Sequence, residues 1–176
     1  MNKKKNIIKY ISIVVLIIVL GVLVYRSFFK SNYAYVDLIK VYNEFEYKKE
    51  LEKKFTLVKT ERQNILDSIK LQVEIKSREL EKDSKNQKLI NEYNYYYNQY
   101  YDKQKQFEED NNAMASQYTE QVWKQINSFM NGYGERNNYL IIIGNAGEGN
   151  VLYYKKSIDI TEDVMEYLNE KYNDNK

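Results

Sequence analysis

The long polar middle of the chain, from about Asn43 to about Asn131, has the residue spacing of two helices folded back on each other. In each half, apolar or long side chains recur at alternating intervals of four and three residues, which is the heptad seam of a helix packed on a partner helix. The seam positions are Leu51, Phe55, Val58, Arg62, Ile65, Ile69, Gln72, Lys76 and Leu80 in the first half, and Tyr93, Tyr97, Tyr100, Gln104, Phe107, Asn111, Met114, Tyr118, Gln121, Gln125 and Phe129 in the second.

Residues 82–88 (KDSKNQK), between the two halves, contain no apolar residue. A break of this kind between two periodic segments predicts the tip of an antiparallel helical hairpin that spans about residues 43–131. A seam of two positions in seven hides little surface within one chain, so such helices usually need partner chains. We therefore expect a homo-oligomer.

The chain contains no Cys, no His and no Pro. Without Cys no disulfide or thiolate metal site can form, and without His the commonest general base and metal ligand is missing. We therefore expect no enzyme activity, no metal and no cofactor. Residues 31–176 are mildly acidic with both signs mixed, which argues against a nucleic-acid partner.

The N-terminal segment, residues 1–30, has the pattern of a membrane anchor or a signal peptide. A basic start precedes an apolar run over residues 7–25, and its uncharged part, Tyr10 to Tyr25, covers roughly 24 Å as a helix. No pair of small residues marks a good cleavage site, so we expect an uncleaved membrane anchor, with a cleaved signal peptide as the alternative. Because positive charge precedes the run, the N-terminus is expected in the cytoplasm and residues 31–176 outside it.

Three short segments that flank the hairpin have the composition of strands. Residues 33–36 (YAYV) precede Asp37, a candidate helix N-cap. Residues 139–143 (YLIII) and 151–154 (VLYY) enclose a glycine-rich turn and are expected to form a β-hairpin. The three strands can make one sheet at the base of the helical hairpin.

Two glycines, Gly132 and Gly134, are expected to end the second long helix. Near the C-terminus an amphipathic helix is expected over residues 161–172, with Asp159 or Thr161 as its N-cap. The sequence thus predicts an α+β fold, a long antiparallel helical hairpin on a small β-sheet body within residues 31–176. The apolar face of the last helix consists of Val164, Leu168 and Tyr172.

The order of these elements resembles the OmpH/Skp family of periplasmic chaperones. Residues 35–42 (YVDLIKVY) lead into a long Lys/Glu-rich helix, and the C-terminal part runs through 139–143 and 151–154 into residues 157–161 (SIDIT) and the closing helix. The resemblance covers essentially all of residues 33–172.

In that family, three chains join their strands into a small body, and three helical hairpins project around a cavity that holds unfolded outer-membrane proteins. The resemblance therefore implies a trimeric, ATP-independent holdase in the periplasm that has no cofactor. This chain differs from well-known members in its slightly acidic soluble part and in a leader that is expected to stay attached, which would tie the protein to the inner membrane. The residues expected in the oligomeric body are Tyr35, Val36, Leu140, Ile141, Ile142, Val151 and Leu152.

A tyrosine tract over residues 93–101 (YNYYYNQYY) supplies the candidate client contacts, because aromatic rings with polar tips give contact area without a sticky apolar patch. The alternative is that these rings only pack helix against helix. A second function also stays open, a membrane-anchored coiled-coil scaffold that binds one folded envelope partner. The candidate client-contact residues are Tyr93, Tyr96, Tyr97, Tyr100 and Tyr101.

Overall fold

The computed structural model describes residues 13–22, 33–147 and 149–176. Residues 13–22 form a helical segment, α1. Within these three ranges, no helix combines the length and the apolar character needed to cross a membrane. The predicted anchor over residues 7–25 lies partly outside the described residues and stays a prediction.

The first strand, β1 (Tyr33–Asp37), ends directly at the N-terminus of the short helix α2 (Leu38–Glu44). The Asp37 carboxylate accepts a hydrogen bond of 3.0 Å from the Lys40 amide, so the predicted N-cap is confirmed. This cap satisfies an amide that has no partner inside the helix. It therefore fixes the point at which the extended chain turns into α2.

A single extended residue, Phe45, separates α2 from the first long helix, α3 (Glu46–Lys82). Its backbone (φ −65°, ψ 124°) redirects the chain, and its ring is buried among other aromatic rings. The ring centroid lies 5.8 Å from that of Tyr172 and 6.4 Å from that of Phe129, both in edge-to-face geometry. This cluster fixes the direction in which the hairpin leaves the body.

The hairpin tip lies where the sequence predicts it. Helix α3 ends at Lys82, and the second long helix, α4 (Gln87–Arg136), begins after a turn of four residues. The Asn86 side chain caps α4 by accepting hydrogen bonds from the amides of Lys88 and Leu89. The turn, DSKN, contains no apolar residue, and its first three residues are exposed to solvent.

Helix α4 continues past Gly132 and Gly134 to Arg136, so the prediction that these glycines end the helix is wrong. The end is a Schellman motif in which Asn138 adopts the left-handed conformation (φ 55°) and the Tyr139 amide donates to the Gly134 carbonyl at 3.0 Å. Asn tolerates this conformation almost as well as Gly, so it can end the helix in place of Gly.

The second strand, β2 (Ile141–Asn145), pairs with β1 in parallel, with Tyr33 opposite Ile141 and Asp37 opposite Asn145. The predicted strand at 139–143 is thus present but displaced by two residues. Residues 151–154 form no strand, so the predicted β-hairpin and three-stranded sheet are wrong for the single chain. The other edge of β1 carries a single β-bridge between Tyr35 and Asp159 instead. The ring of Tyr154 stacks on that of Tyr35, with centroids 3.6 Å apart.

The last helix, α5 (Thr161–Asp174), follows a short 3₁₀ turn, Lys156–Ile158, and covers the root of the hairpin. The Asp159 carboxylate accepts hydrogen bonds from both the amide and the hydroxyl of Thr161. As predicted, the buried face of α5 includes Val164 and Leu168, with Tyr172 half-buried beside them. These residues pack in one core with Ala34, Val36, Val41, Phe45, Leu51, Val122, Ile126, Tyr133, Ile160 and Met165.

Polar contacts hold α5 against the start of α3. The Asn169 side chain accepts from the Glu46 amide at 2.9 Å, and the Tyr172 hydroxyl donates to the Glu50 carboxylate at 2.6 Å. Glu50 also forms ion pairs with Lys54 (2.9 Å) and Lys176 (3.1 Å). The Tyr172 hydrogen bond is the main reason why the pKa of Glu50 falls to about 2, followed by the contacts to the two lysines.

The seam between α3 and α4 follows the predicted spacing along α3 except at one position, since the predicted positions farther out, from Ile69 to Leu80, are half-buried. Leu51 is buried and Phe55 and Val58 are half-buried, as predicted. Farther out Leu66 is only 8% exposed, whereas Ile65, the predicted seam position, is 46% exposed. Both residues lie one turn beyond Arg62, and since intervals of three and of four residues each return a side chain to nearly the same helix face, either could pack against α4.

Truncation of the two adjacent side chains tests this assignment. We expect Leu66→Ala to lower the free energy of unfolding by about 2 kcal/mol or more, because it empties a packed position. Ile65→Ala should cost less than about 1 kcal/mol, because its side chain is half in solvent. Urea denaturation of the two variants measures the difference, and equal losses would contradict the assigned seam.

Acid titration tests the contact between α5 and α3. A carboxylate with a lowered pKa stabilises the fold above its ordinary pKa of 4.5, and this stabilisation is lost as the pH falls toward about 2. Tyr172→Phe removes the main cause of the lowered pKa, so the variant should have a lower Tm than the wild type at pH 6. The gap in Tm should narrow between pH 4.5 and pH 2.

Tyr47→Phe is the matched control for the acid titration. The Tyr47 hydroxyl donates to the neutral amide oxygen of Gln121 at 3.1 Å, so its removal lowers the Tm by an amount that does not depend on pH in this range. A Tyr172→Phe gap that stays constant from pH 6 to pH 2 would show that Glu50 does not depend on the Tyr172 hydroxyl.

Candidate interaction surfaces

The tyrosine tract lies in the outer half of the hairpin, on the α4 side of the tip. Tyr93, Tyr96 and Tyr100 are half-buried at the seam, whereas Tyr97 and Tyr101 are exposed. The rings of Tyr93 and Tyr97 stack with centroids 5.9 Å apart. The five predicted client-contact residues therefore divide into a seam group and a solvent group.

The seam passes through Tyr96 and not through Tyr97, which the heptad spacing predicts. As with Ile65 and Leu66 on α3, the two residues follow the preceding seam residue by three and four positions, and either interval returns a side chain to nearly the same helix face. A sixth ring, Tyr95, is 62% exposed, as much as Tyr101 at 61%, and the sequence interpretation leaves it out. Tyr95 directly precedes a seam tyrosine, and this spacing is the sequence signal that could have predicted its exposure.

The exposed tyrosines occupy opposite flanks of the hairpin. Tyr97 and Tyr101 each follow a half-buried seam tyrosine by one residue, whereas Tyr95 precedes one. Because successive residues of a helix are about 100° apart, these positions fall on different sides of the seam. Tyr95 lines a groove together with Gln72 and Lys76 of α3.

Helix α3 exposes large apolar side chains that the seam does not use. Leu57 is 65% exposed, and Leu71, Ile65 and Ile75 are also substantially exposed. Polar or charged residues separate them along the helix, as at Glu61. The hairpin therefore presents isolated apolar contacts rather than one continuous patch.

Charged side chains tie the outer hairpin together. Near the tip, Lys76 bridges Glu79 and Glu92 at 2.9 Å each, and these hydrogen bonds raise the pKa of Lys76 and lower that of Glu92. In the middle of the hairpin, Arg62 donates to the Asn111 side chain at 2.5 Å. These contacts join the two helices where the seam has few buried apolar residues.

The predicted body residues fall into two groups. Tyr35 and Val36 are buried in the core of the chain itself, and Ile142 and Val151 are half-buried. The other predicted residues, Leu140, Ile141 and Leu152, are exposed, Leu152 by 93%. Further exposed apolar side chains of the body are Tyr33, Ile39, Ile143 and Tyr153.

A cavity of about 490 Å³ opens between β2 and α4 at this surface. Its lining includes Val36, Leu38, Met130, Leu140 and Ile142, and it is open to solvent. A cavity of this kind next to exposed apolar side chains has the character of a protein contact surface. Across the described ranges, no cluster of three or more His, Cys, Asp or Glu side chains has the arrangement of a metal site.

Comparison with known proteins identifies a family and a crystal structure that this chain matches. The family model described as "Outer membrane protein (OmpH-like)" matches residues 32–168. A crystal structure from Caulobacter crescentus CB15, described as a candidate outer membrane chaperone (OmpH-like), superposes with a TM-score of 0.69. The match covers 80% of this chain and 85% of that chain at 10% identity, so it establishes a shared fold. No curated protein matches the chain.

The family match spans most of the chain and includes β1, the whole hairpin, β2 and the start of α5. The resemblance inferred from the two ends of the sequence is therefore confirmed, and the chain belongs to the OmpH-like family of outer membrane proteins.

Proposed function

We propose that this protein is an ATP-independent holdase that binds unfolded outer-membrane or other envelope proteins between its helical hairpins. It holds its clients by many weak contacts and uses no catalytic residue and no cofactor. The observation that carries this proposal is the outer hairpin, where Leu71, Tyr97 and Tyr101 are exposed on a scaffold that does not need them for packing.

Physical chemistry favours this use of the hairpin. Non-native chains expose apolar and aromatic side chains at irregular intervals, so a surface of isolated apolar contacts can engage many of them. The side chains between the contacts are polar and keep the free protein soluble. The Caulobacter structure of the same fold, described as a candidate outer membrane chaperone, supports the same function.

We further propose that three copies assemble through the β-sheet body. Several apolar side chains are exposed at the body, above all Leu152 and Leu140, and only contact with a partner surface would bury them. Residues 151–154 have strand composition but no strand partner among the described residues, so they are available to a neighbouring copy. Three hairpins that leave one body in the same direction would enclose a space for the client.

The proposed location is the periplasm, with the body and hairpin held near the inner membrane by the N-terminal segment. The basic residues before the apolar run support this orientation. A cleaved leader would give the same protein free in the periplasm. Either form places the hairpins where unfolded envelope proteins pass.

Native mass spectrometry of residues 31–176, with and without a urea-unfolded β-barrel protein, tests the proposed function. We expect a trimer that takes up one client, and suppression of the turbidity that forms when the client is diluted from urea alone. A protein that binds one folded envelope partner but leaves the client to aggregate would instead be the anchored scaffold.

A charge placed in the exposed body surface should break the assembly. We expect Leu152→Asp to shift the trimer toward monomer, because a carboxylate buried in an apolar contact loses its hydration. Leu57→Asp makes the same change at an exposed position on the hairpin and should leave the trimer intact. Sedimentation analysis distinguishes the two variants, and a Leu152→Asp trimer as stable as the wild type would exclude this surface from the interface.

A further inference from the structure

A small pocket lies at the root of the hairpin, between α3 and α4. Its volume is about 200 Å³. Leu51 and Val122, both buried, form its floor, and Tyr42, Phe55 and Tyr118 form its walls. The rings of Phe55 and Tyr118 meet edge to face at 6.5 Å, so the pocket offers both a ring face and a ring edge.

The rim of the pocket is polar. Lys48 Nζ lies 2.7 Å from the Glu52 carboxylate and 5.5 Å from the Tyr42 ring centroid. The Thr119 side chain also lines the rim. An apolar floor under a rim of hydrogen-bonding groups suits an apolar side chain whose own backbone stays at the surface.

The volume of the pocket limits the size of the group that it can bind. An apolar protein cavity of about 150 Å³ accommodates benzene, whereas sites for whole small-molecule ligands usually measure about 300–1,000 Å³. A volume of about 200 Å³ therefore fits one aromatic ring and little else. The aromatic walls favour such a ring over an aliphatic side chain because ring pairs gain additional electrostatic complementarity.

The pocket is on the same flank of the hairpin as two exposed tyrosines. Ala115 and Thr119 line the pocket and come eighteen residues after Tyr97 and Tyr101, which is five full helical turns. Each pair therefore shares one side of α4, at a separation of about 27 Å. An extended chain covers that distance in about eight residues.

We propose that this pocket binds one aromatic side chain of the held protein, and that the client runs from it along the Tyr97 and Tyr101 flank of α4. This inference rests on the proposed holdase function and names the contact surface within it. Tyr95, on the opposite flank, takes no part. The pocket supplies an anchor, and the exposed tyrosines supply the weaker contacts farther along the chain.

The single tryptophan of the protein, Trp123, reports on the pocket directly. Its ring stacks on that of Tyr42, a pocket wall, with centroids 4.9 Å apart. We expect N-acetyl-phenylalaninamide to change the Trp123 fluorescence in a saturable way, and N-acetyl-alaninamide to leave it unchanged. Ala115→Leu fills the pocket and should abolish the response.

Ala113→Leu is the matched control, because Ala113 is an exposed alanine of the same helix that does not line the pocket. Thr119→Leu narrows the pocket from its rim and serves as a second filling variant. Circular dichroism and thermal unfolding establish that all three variants fold as the wild type does.

Client affinity is then measured with an unfolded β-barrel protein that lacks tryptophan. We expect Ala115→Leu and Tyr101→Ala each to weaken binding by about fivefold, which corresponds to the loss of one aromatic contact. Ala113→Leu and Tyr95→Ala should bind as the wild type does. Because the side chains of Tyr95 and Tyr101 have nearly equal exposure, the comparison of their alanine variants tests the effect of the flank alone.

The outcomes separate this inference from the proposed function. If the wild type binds no unfolded client, the holdase function itself fails. If the wild type binds but Ala115→Leu and Ala113→Leu have equal affinity for the client, the holdase stands and the pocket inference is overturned. A fluorescence response to the amide without any effect on client affinity would assign the pocket to free aromatic molecules and likewise overturn the inference.

Discussion

Burial at the root of the hairpin is what the rest of the molecule depends on. Among the described residues, the largest fully buried side chains, such as Phe45, Ile126 and Leu168, lie where α2, α3, α4 and α5 meet. A narrow heptad seam cannot by itself hold two long helices together in water. The body therefore fixes the hairpin, and the edge-to-face contact of Phe45 with Tyr172 joins the redirected chain to the closing helix.

This distribution of stability frees the outer hairpin for binding. Beyond Leu66 the helices are joined by half-buried tyrosines and by polar contacts such as that of Lys76 with Glu92. Large side chains there can be exposed without cost to the fold, because the core does not need them. The same division between a packed body and a loosely packed outer hairpin explains the position of the aromatic pocket. It lies at the root of the hairpin, where α3 and α4 first leave a gap between them.

Local signals in the sequence predicted local structure well. The hairpin, its tip and the cap at Asp37 depend on residues close in sequence, and all are present. The strand at 151–154 failed because strand formation depends on a partner edge, which composition does not reveal. The tyrosine tract was located correctly, but the heptad spacing did not predict which of Tyr96 and Tyr97 packs at the seam, because intervals of three and of four residues return a side chain to nearly the same helix face. The pocket was missed because its walls, Phe55 and Tyr118, come from helices distant in sequence.

The parallel pairing of β1 with β2 makes the whole hairpin one crossover connection. Tyr33 and Ile141 are neighbours in the sheet although both long helices lie between them in the chain. Strand pairs so distant in sequence raise the contact order. A helical hairpin that forms from its tip toward the body nevertheless brings the two strands together and removes most of the entropy cost of closing the loop. We therefore expect helix formation to precede sheet formation during folding, and a change in the length of the arms by whole heptads to leave the register of the body unaltered.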